Sequence, residues 1–443
     1  MNKHFLKNIR DNMPEFLKYI MSPVFRNQLI KNKSYLQYKN LLYKRNTLTN
    51  EDIYNYQFDQ LKEILIYSSK HIPYYIDLFK KINFEPQYLK TNNISDIPYL
   101  TKELIRENFY SLMSMDKVKG GYYIATTGGS TGEPLKVLLD YESIFKESAF
   151  VNFFREHSGY IEKGRLATFR GIEFGCDLWK FNPMHNELIF SPFKLSRKTI
   201  RQYVKKINEF NPDFLNGYLS TLYTFAKILE ELNLKLKHPL KSIFLISENI
   251  DNENRLFVEN FFQAPSSTFY GHSERCVIAE EIQPNEYVFD PYYGFTELIK
   301  KEDDLYEIIA TGFLNRTMPL VRYKTNDLCR KNTNGSYSII GRWSANEYLV
   351  GYNDEKIFHS AFNFHSEIFQ NVINYQFLQN EKGKVNLLLM VNNQFNSFEI
   401  NIMKKEIEKK MKNIIDFEIK IVSQFILTKR GKFNRFVSNL RLQ

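Results

Sequence analysis

Between about residues 116 and 341 the chain alternates short apolar runs with amphipathic stretches at helical spacing. That alternation restricts its core to an α/β architecture. Tyr122–Thr126 reads as a short strand entering a glycine-rich loop, and Ser242–Ile246 as a buried strand. Ile200–Phe210 and Thr221–Leu232 carry the apolar period of helices, while Tyr287–Phe289, Glu297–Ile299 and Glu307–Thr311 predict an additional sheet.

The flanks follow other patterns. Residues 1 to about 115 read as mostly helical: Phe58, Leu61, Ile64, Leu65 and Tyr67 fall near helical spacing, turn chemistry interrupts at His71-Ile72-Pro73, and Thr101 is placed to cap a following helix. Beyond Ile340-Gly341-Arg342, a strand at Val385–Val391, a charged helix at Phe398–Lys412 and a strand at Phe417–Val422 predict a small α+β domain. A chain of 443 residues exceeds one ordinary core. The expected division is a helical part (1–115), an α/β core (116–341) and a small C-terminal domain (342–443).

Composition narrows the function classes. The net charge is +10, from 60 Lys plus Arg against 50 Asp plus Glu. No Lys/Arg block of nucleic-acid-tail size occurs, so no nucleic-acid partner is expected. The three cysteines Cys176, Cys276 and Cys329 include no CxxC pair, which predicts neither a disulfide framework nor a thiolate zinc site and suits a reducing cytoplasm. No run approaches the ~20 apolar residues of a membrane helix, and the N-terminus lacks the apolar core of a signal peptide. A soluble cytoplasmic protein without stable membrane insertion is expected.

Four segments carry candidate chemistry. In Thr126-Thr127-Gly128-Gly129-Ser130-Thr131-Gly132-Glu133-Pro134, glycines permit tight turns and hydroxyls can donate to phosphate oxygens, although the Walker spacing is absent. Alone, such a stretch reads equally as a linker; the defined continuation Pro134-Leu135-Lys136-Val137 adds weight. In Phe269-Tyr270-Gly271-His272-Ser273-Glu274, Tyr270 offers a ring to cover a purine and Glu274 a single carboxylate of the kind Mg²⁺ needs beside phosphates. On residue chemistry alone, His272 reads as structural. Met318 to Asp327 is a buried-looking strand ending in a carboxylate able to accept both ribose hydroxyls, and Arg342 adds a cation. Lys432, in Thr428-Lys429-Arg430-Gly431-Lys432-Phe433, is a point charge on a Gly-hinged loop.

In this order the four segments resemble the adenylate-forming superfamily of acyl-CoA synthetases, within it the phenylacetate–CoA ligase branch and the CapK-like proteins associated with capsular polysaccharide gene clusters. The likeness extends through His71-Ile72-Pro73-Tyr74-Tyr75, Ile97-Pro98-Tyr99-Leu100-Thr101-Lys102, Asn216-Gly217-Tyr218-Leu219-Ser220, Ser247-Glu248 and Tyr375-Gln376-Phe377-Leu378-Gln379. It implies an α/β fold, with a large multi-subdomain N-terminal domain and a small mobile α+β C-terminal domain. It also implies ATP with Mg²⁺, CoA as co-substrate, and a small carboxylic acid as the group activated. By that resemblance Thr126 to Gly132 and Lys136 hold the β- and γ-phosphates. Ser247, Glu248, Tyr270, Gly271, His272 and Ser273 line the adenine and acyl pocket, with Glu274 on Mg²⁺. Asp327 binds the ribose, Arg342 sits at the adenylate, and Lys432 bridges carboxylate and α-phosphate.

Two departures stand out. Asn326 replaces the family's usual Gly, and Asn tolerates positive φ better than most residues. Trp343-Ser344-Ala345 lacks the acidic hinge residue. The cysteines and histidines that some relatives carry near 281–291 are missing, so no zinc is expected. The leading expectation is an AMP-forming carboxylate–CoA ligase. Its rivals are transfer of the acyl group to a sugar or amine, and a scaffold that keeps the fold.

Overall fold

The computed structural model describes residues 13–90, 93–117, 120–126, 135–170, 176–342, 348–353, 355–358, 371–411, 414–428 and 431–440. Most of the glycine-rich loop (Thr127 to Pro134), the hinge residues Trp343 to Ala345, and Lys429 and Arg430 lie outside them.

Helices dominate the N-terminal part: α1 (Glu15–Ile30), α2 (Lys33–Lys44), α3 (Asn50–His71), α4 (Pro73–Lys81) and α5 (Lys102–Glu107). A Thr49–Asp52 capping box opens α3, and Pro73 sits at the first position of α4, where its missing N–H costs nothing. Thr101 caps α5 as its sequence context predicts, by accepting from Leu104 N–H. This part docks on the rest through Ile97 to Leu100. Leu100 N–H donates to Arg322 O at 3.0 Å, and Lys324 N–H donates to Leu100 O at 2.9 Å. The buried guanidinium of Arg322 pairs with Glu297 through two bonds, donates to Ser95 O and Ile97 O, and lies over the Tyr99 ring. Arg322 therefore staples the helical part to the strand that carries Asp327.

The central part begins with the hairpin β1 (Tyr122–Thr126) and β2 (Lys136–Asp140), followed by α6 (Tyr141–Glu156). Next come β3 (Leu166–Phe169), β4 (Trp179–Asn182), β5 (Glu187–Phe190), α7 (Ile200–Phe210), β6 (Phe214–Gly217), α8 (Leu219–Glu231), β7 (Ser242–Leu245), α9 (Asn252–Phe262) and β8 (Ser266–Ser267). The strands form one sheet in the order β4-β5-β3-β6-β7-β8, parallel except at β4. One face of the sheet is covered by α7, α8 and α9, which bury Phe169, Phe190, Tyr203, Leu222 and Phe225. Each such side chain contributes about 1.5–3 kcal/mol on burial.

A seven-stranded antiparallel sheet follows, made of β9 (Phe269–Gly271), β10 (Ile278–Gln283), β11 (Glu286–Phe289), β12 (Gly294–Lys300), β13 (Leu305–Gly312), β14 (Tyr323–Lys331) and β15 (Tyr337–Arg342). The predicted additional sheet is present, with longer strands than the apolar runs mark. The smaller C-terminal domain contains β16 (Tyr348–Val350) and β17 (Lys356–Phe358), then β18 (Val372–Glu381), β19 (Lys384–Val391), α10 (Ser397–Met411), β20 (Asp416–Ile421) and β21 (Phe436–Ser438). Its four-stranded sheet runs β20-β19-β18-β21 around Phe377, Leu387, Leu389, Met403 and Ile407.

Candidate active site

The carboxyl ends of the parallel strands in an open α/β sheet mark where a ligand binds. Beyond β7 the chain turns at Ser247, which adopts φ +59°, a left-handed conformation that costs a non-glycine residue about 1–2 kcal/mol. Its carbonyl accepts from Lys432 Nζ at 2.5 Å. Lys432 also lies 5.9 Å from the centre of the Tyr218 ring, just after β6. The next residue, Glu248, accepts from Ser220 N–H at 3.0 Å and Ser220 Oγ at 2.8 Å, at the start of α8. Burial pushes the Glu248 carboxyl up, against Ser220, Lys432 and the Phe433 N–H, which favour its charge. Glu248 thus touches both the N-terminal body and the loop that bears Lys432.

That loop is a tight hairpin. Thr428 N–H donates to Lys432 O at 2.9 Å, Lys432 N–H returns to Thr428 Oγ1 at 3.0 Å, and Leu427 bridges to Phe433. Gly431 sits at φ +69°, where a side chain would be strained. The fully buried Gln376 amide accepts from Ile426 N–H and donates to Ile426 O and Asn434 O, tying the hairpin to β18. Gln376→Leu removes all three bonds at nearly equal volume. It is expected to lower stability by about 1–3 kcal/mol and to cut any Lys432-dependent activity without touching substrate, as thermal unfolding and kcat measurements will show.

A second cluster centres on Glu274, which is 3% exposed. Its Oε1 accepts from the Tyr323 hydroxyl at 2.9 Å, and its Oε2 lies 3.2 Å from His272 Nδ1. The latter contact is an ion pair without hydrogen-bond alignment. Both Oε2 and Nδ1 are buried atoms with no hydrogen-bond partner among the described residues. Burial works against the charged carboxyl, but His272 and then Tyr323 outweigh it and hold Glu274 at about 2. Burial likewise opposes a charged His272, whose value is nevertheless raised well above the ordinary one by Cys276 and Glu274. Cys276 Sγ lies 3.9 Å from His272 Nε2.

Asp327 adjoins this cluster, since its Oδ2 accepts from the Tyr270 hydroxyl at 2.8 Å. It ends a bulge: Glu307 pairs with Leu328 but Ile309 with Lys324, which leaves Thr325, Asn326 and Asp327 without partners on β13. Asn326 carries φ +62°, so the turn survives the replacement of Gly as its tolerance of positive φ predicts. Thr325 Oγ1 accepts from Asp327 N–H at 3.0 Å and closes the loop. Asn326→Gly is expected to be neutral or slightly stabilising, whereas Asn326→Val should cost about 1–2 kcal/mol; thermal midpoints of the two variants test this.

Arg342 faces Asp327 across the β14–β15 ladder at backbone level. A Cβ on the preceding Gly341 (φ +77°) would meet Asn249 Oδ1 at 2.4 Å, so β15 approaches the turn after β7 closely. Thr126 pairs with Lys136 at the mouth of the β1–β2 hairpin, which brackets the glycine-rich loop. Thr127, Gly128, Gly129, Ser130, Thr131 and Gly132 lie outside the described residues. Ser247, Glu248 and Lys432 thus form one group, and Tyr270, His272, Glu274 and Asp327 another, drawn from four separate segments in all.

No family model matches the chain. Over 408 residues it is 25% identical to protein CapK of Staphylococcus aureus, covering 88% of this chain and 90% of CapK. Among solved structures, 2-hydroxyisobutyryl-CoA ligase in the postadenylation state, in complex with R3-HIB-AMP, matches with a TM-score of 0.61 at 13% identity, over 86% of this chain and 89% of that one. The same ligase in complex with 2-HIB-AMP and CoA in the thioesterification state gives 0.52 at 13% identity, over 88% and 91%.

The chain is similar to CapK over most of its length and shares the fold of 2-hydroxyisobutyryl-CoA ligase.

On that fold, residue reasoning passed over several side chains that the geometry brings forward. Tyr323 and Ser220 belong to stretches noted in the sequence, but only the packed structure turns them onto Glu274 and Glu248. His272, read as structural from its chemistry, lies inside the Glu274 cluster. The positive φ of Ser247 has no sequence signature. Among the described residues no helix is long and apolar enough to cross a membrane.

Proposed function

We propose that this protein activates a carboxylic acid with ATP, forming an acyl-adenylate and pyrophosphate, and then passes the acyl group to the thiol of CoA. The observation that carries the reading is Lys432, held from the C-terminal domain against Ser247 O beside Tyr218. A cation brought there by a separate domain suits a step in which an anionic nucleophile meets an anionic phosphate.

In that step a carboxylate oxygen forms a bond to the α-phosphorus while the bond to the pyrophosphate oxygen breaks. Lys432 Nζ bridges the two anions and offsets their repulsion where charge accumulates. Asp327 orients the nucleotide through its ribose hydroxyls, with the Tyr270 hydroxyl fixing the carboxylate. Tyr270 covers the purine, and Thr126 to Gly132 with Lys136 hold the leaving pyrophosphate. Ser247, Glu248, Gly271 and Ser273 border the adenine and acyl pocket, and Arg342 contacts the adenylate. The buried, ionised Glu274 Oε2, ion-paired with His272 but without a hydrogen bond, fits a divalent cation. Mg²⁺ bound there supplies charge neutralisation to the phosphates. His272 Nδ1 lies 3.2 Å from the same Glu274 oxygen and orients that carboxylate. Residues 1–341 form the large domain and 342–443 the small one, which turns relative to the large one between half-reactions and withdraws Lys432 before the acceptor enters.

The likeness to CapK favours a second reading of the acceptor, a saccharide in place of CoA. Acid-dependent ATP–pyrophosphate exchange, with a panel of acids, tests the first half-reaction. AMP release with and without CoA then tests the second. Exchange with an acid whose AMP release CoA never accelerates removes the thioester reading and leaves the saccharide one.

A further inference from the structure

The inner side of α1 has a structural task. Lys18, Ser22, Phe25 and Leu29 recur at helical spacing and are buried. Tyr19 stacks on Phe181 of β4 with ring centres 3.9 Å apart, and Ser22 Oγ donates to Pro183 O at 3.1 Å. The helix therefore lies along β4, an edge strand of the parallel sheet, where it shields that edge from pairing with another chain.

The opposite side of α1 has no such partner among the described residues. Phe16, Ile20 and Val24 recur every four residues and so form one ridge, yet they are 64%, 67% and 50% exposed. Single exposed apolar side chains are ordinary, but an aligned row of them marks an interaction site. Lys31, at the C-terminal cap, continues the same side two turns beyond Val24, and Lys33 follows; both are exposed.

The charge around this ridge is one-sided. From Phe16 to Asn50 the chain has seven Lys or Arg and no Asp or Glu. Lys39 pairs with Glu156, and Arg45 with Glu280 and Asp290, inside the fold. Lys31 and Lys33 stay at the surface. Upstream, Lys3, Lys7 and Arg10 stand against Asp11 alone, and Glu15 is the one acid of α1.

A ridge of three side chains is small for a specific protein interface, which takes roughly 20–30 residues a side. A lipid surface makes no such demand: it accepts a shallow apolar ridge with cations beside it. The 16 residues of α1 extend about 24 Å and include Lys18 and Arg26, so the helix suits lying on a bilayer and not crossing one. We infer that the outer side of α1 docks this protein on an anionic membrane surface, with Phe16, Ile20 and Val24 entering the headgroup boundary and Lys31 and Lys33 meeting lipid phosphates. This concerns where the protein works, whatever reaction it performs, and does not rest on adenylation.

The full chain is mixed with sucrose-loaded vesicles of phosphatidylcholine, alone or with one-third phosphatidylglycerol, and bound protein is read by sedimentation. Binding to the anionic vesicles is expected to be tighter by about tenfold or more, and to weaken with added salt. Phe16→Ser/Ile20→Ser/Val24→Ser alters exposed side chains alone, so its thermal midpoint should match the parent while its binding falls by about tenfold or more. Ile20→Ser by itself gives a smaller loss in the same direction if the triple variant fails to fold. Lys31→Gln/Lys33→Gln is expected to lose about 25-fold, since each lysine near an anionic surface contributes about fivefold.

No binding to either vesicle, or equal binding to both, overturns the inference. So does anionic binding that the serine variants retain in full. A parent that is dimeric by analytical ultracentrifugation and monomeric as the triple variant, without vesicle binding, assigns the ridge to a second copy and overturns it as well.

Discussion

Lys432→Ala is expected to lower acid-dependent pyrophosphate exchange by about 10²–10³-fold, the loss typical of deleting one preorganised charge-stabilising donor. Binding of ATP should change little, because the loop proposed to hold the β- and γ-phosphates precedes the C-terminal domain in the chain. The basis is the 2.5 Å contact of Lys432 Nζ with Ser247 O, made across the two domains. Stability should fall modestly, since Lys432 is half-buried and its charge favours the ionised form of the buried Glu248. The measurement is exchange rate beside ATP affinity by calorimetry. Equal exchange by the variant and the parent removes Lys432 from the reaction. If thioester formation from a supplied acyl-adenylate is retained, the lysine acts only in the first half-reaction.

Glu274→Gln should be the other severe variant, and its signature differs. The change keeps the volume and the Tyr323 contact but removes the charge facing His272. Exchange is expected to fall by about 10²-fold or more, and the Mg²⁺ concentration for half-maximal rate to rise. A loss of rate with an unchanged Mg²⁺ dependence would separate Glu274 from the metal. The effect on stability has a defined sign. The folded value, about 2, lies below the ordinary 4.5, so ionised Glu274 adds stability that is fully present above pH 4.5. That stability fades as pH falls from there through about 2. In Glu274→Gln this part of the acid-unfolding profile should flatten. His272, deprived of its carboxylate, should titrate lower in the variant, which NMR of the ring protons can follow.

These residues and their supports differ in how far the sequence marks them as candidates. Glu274 and Lys432 are legible because each sits in a short stretch whose neighbours, Tyr270-Gly271-His272 and Gly431, carry their own conformational or chemical reason. Asn326 is a similar case: its tolerance of positive φ predicts the bulge that presents Asp327, and the chain adopts it. Gln376 and Arg322 are different. Nothing local marks a glutamine as the clamp of a hairpin 50 residues away, or an arginine as the staple between two parts of the chain, because their partners are fixed only by packing.

Periodicity and turn chemistry by themselves determined the class of each segment, including the strand–helix alternation, the helical flank, the added sheet and the final α+β unit. These properties depend on residues a few positions apart. The order of the four motifs also carries the resemblance on which the adenylation proposal rests. Tertiary structure alone decided which groups meet: Lys432 on Ser247, Glu248 between α8 and the Lys432 loop, Tyr270 on Asp327, and Arg155 on Asn216. Such contacts span up to 185 residues, and burial then sets their energies by stripping water from groups that a sequence lists only as polar.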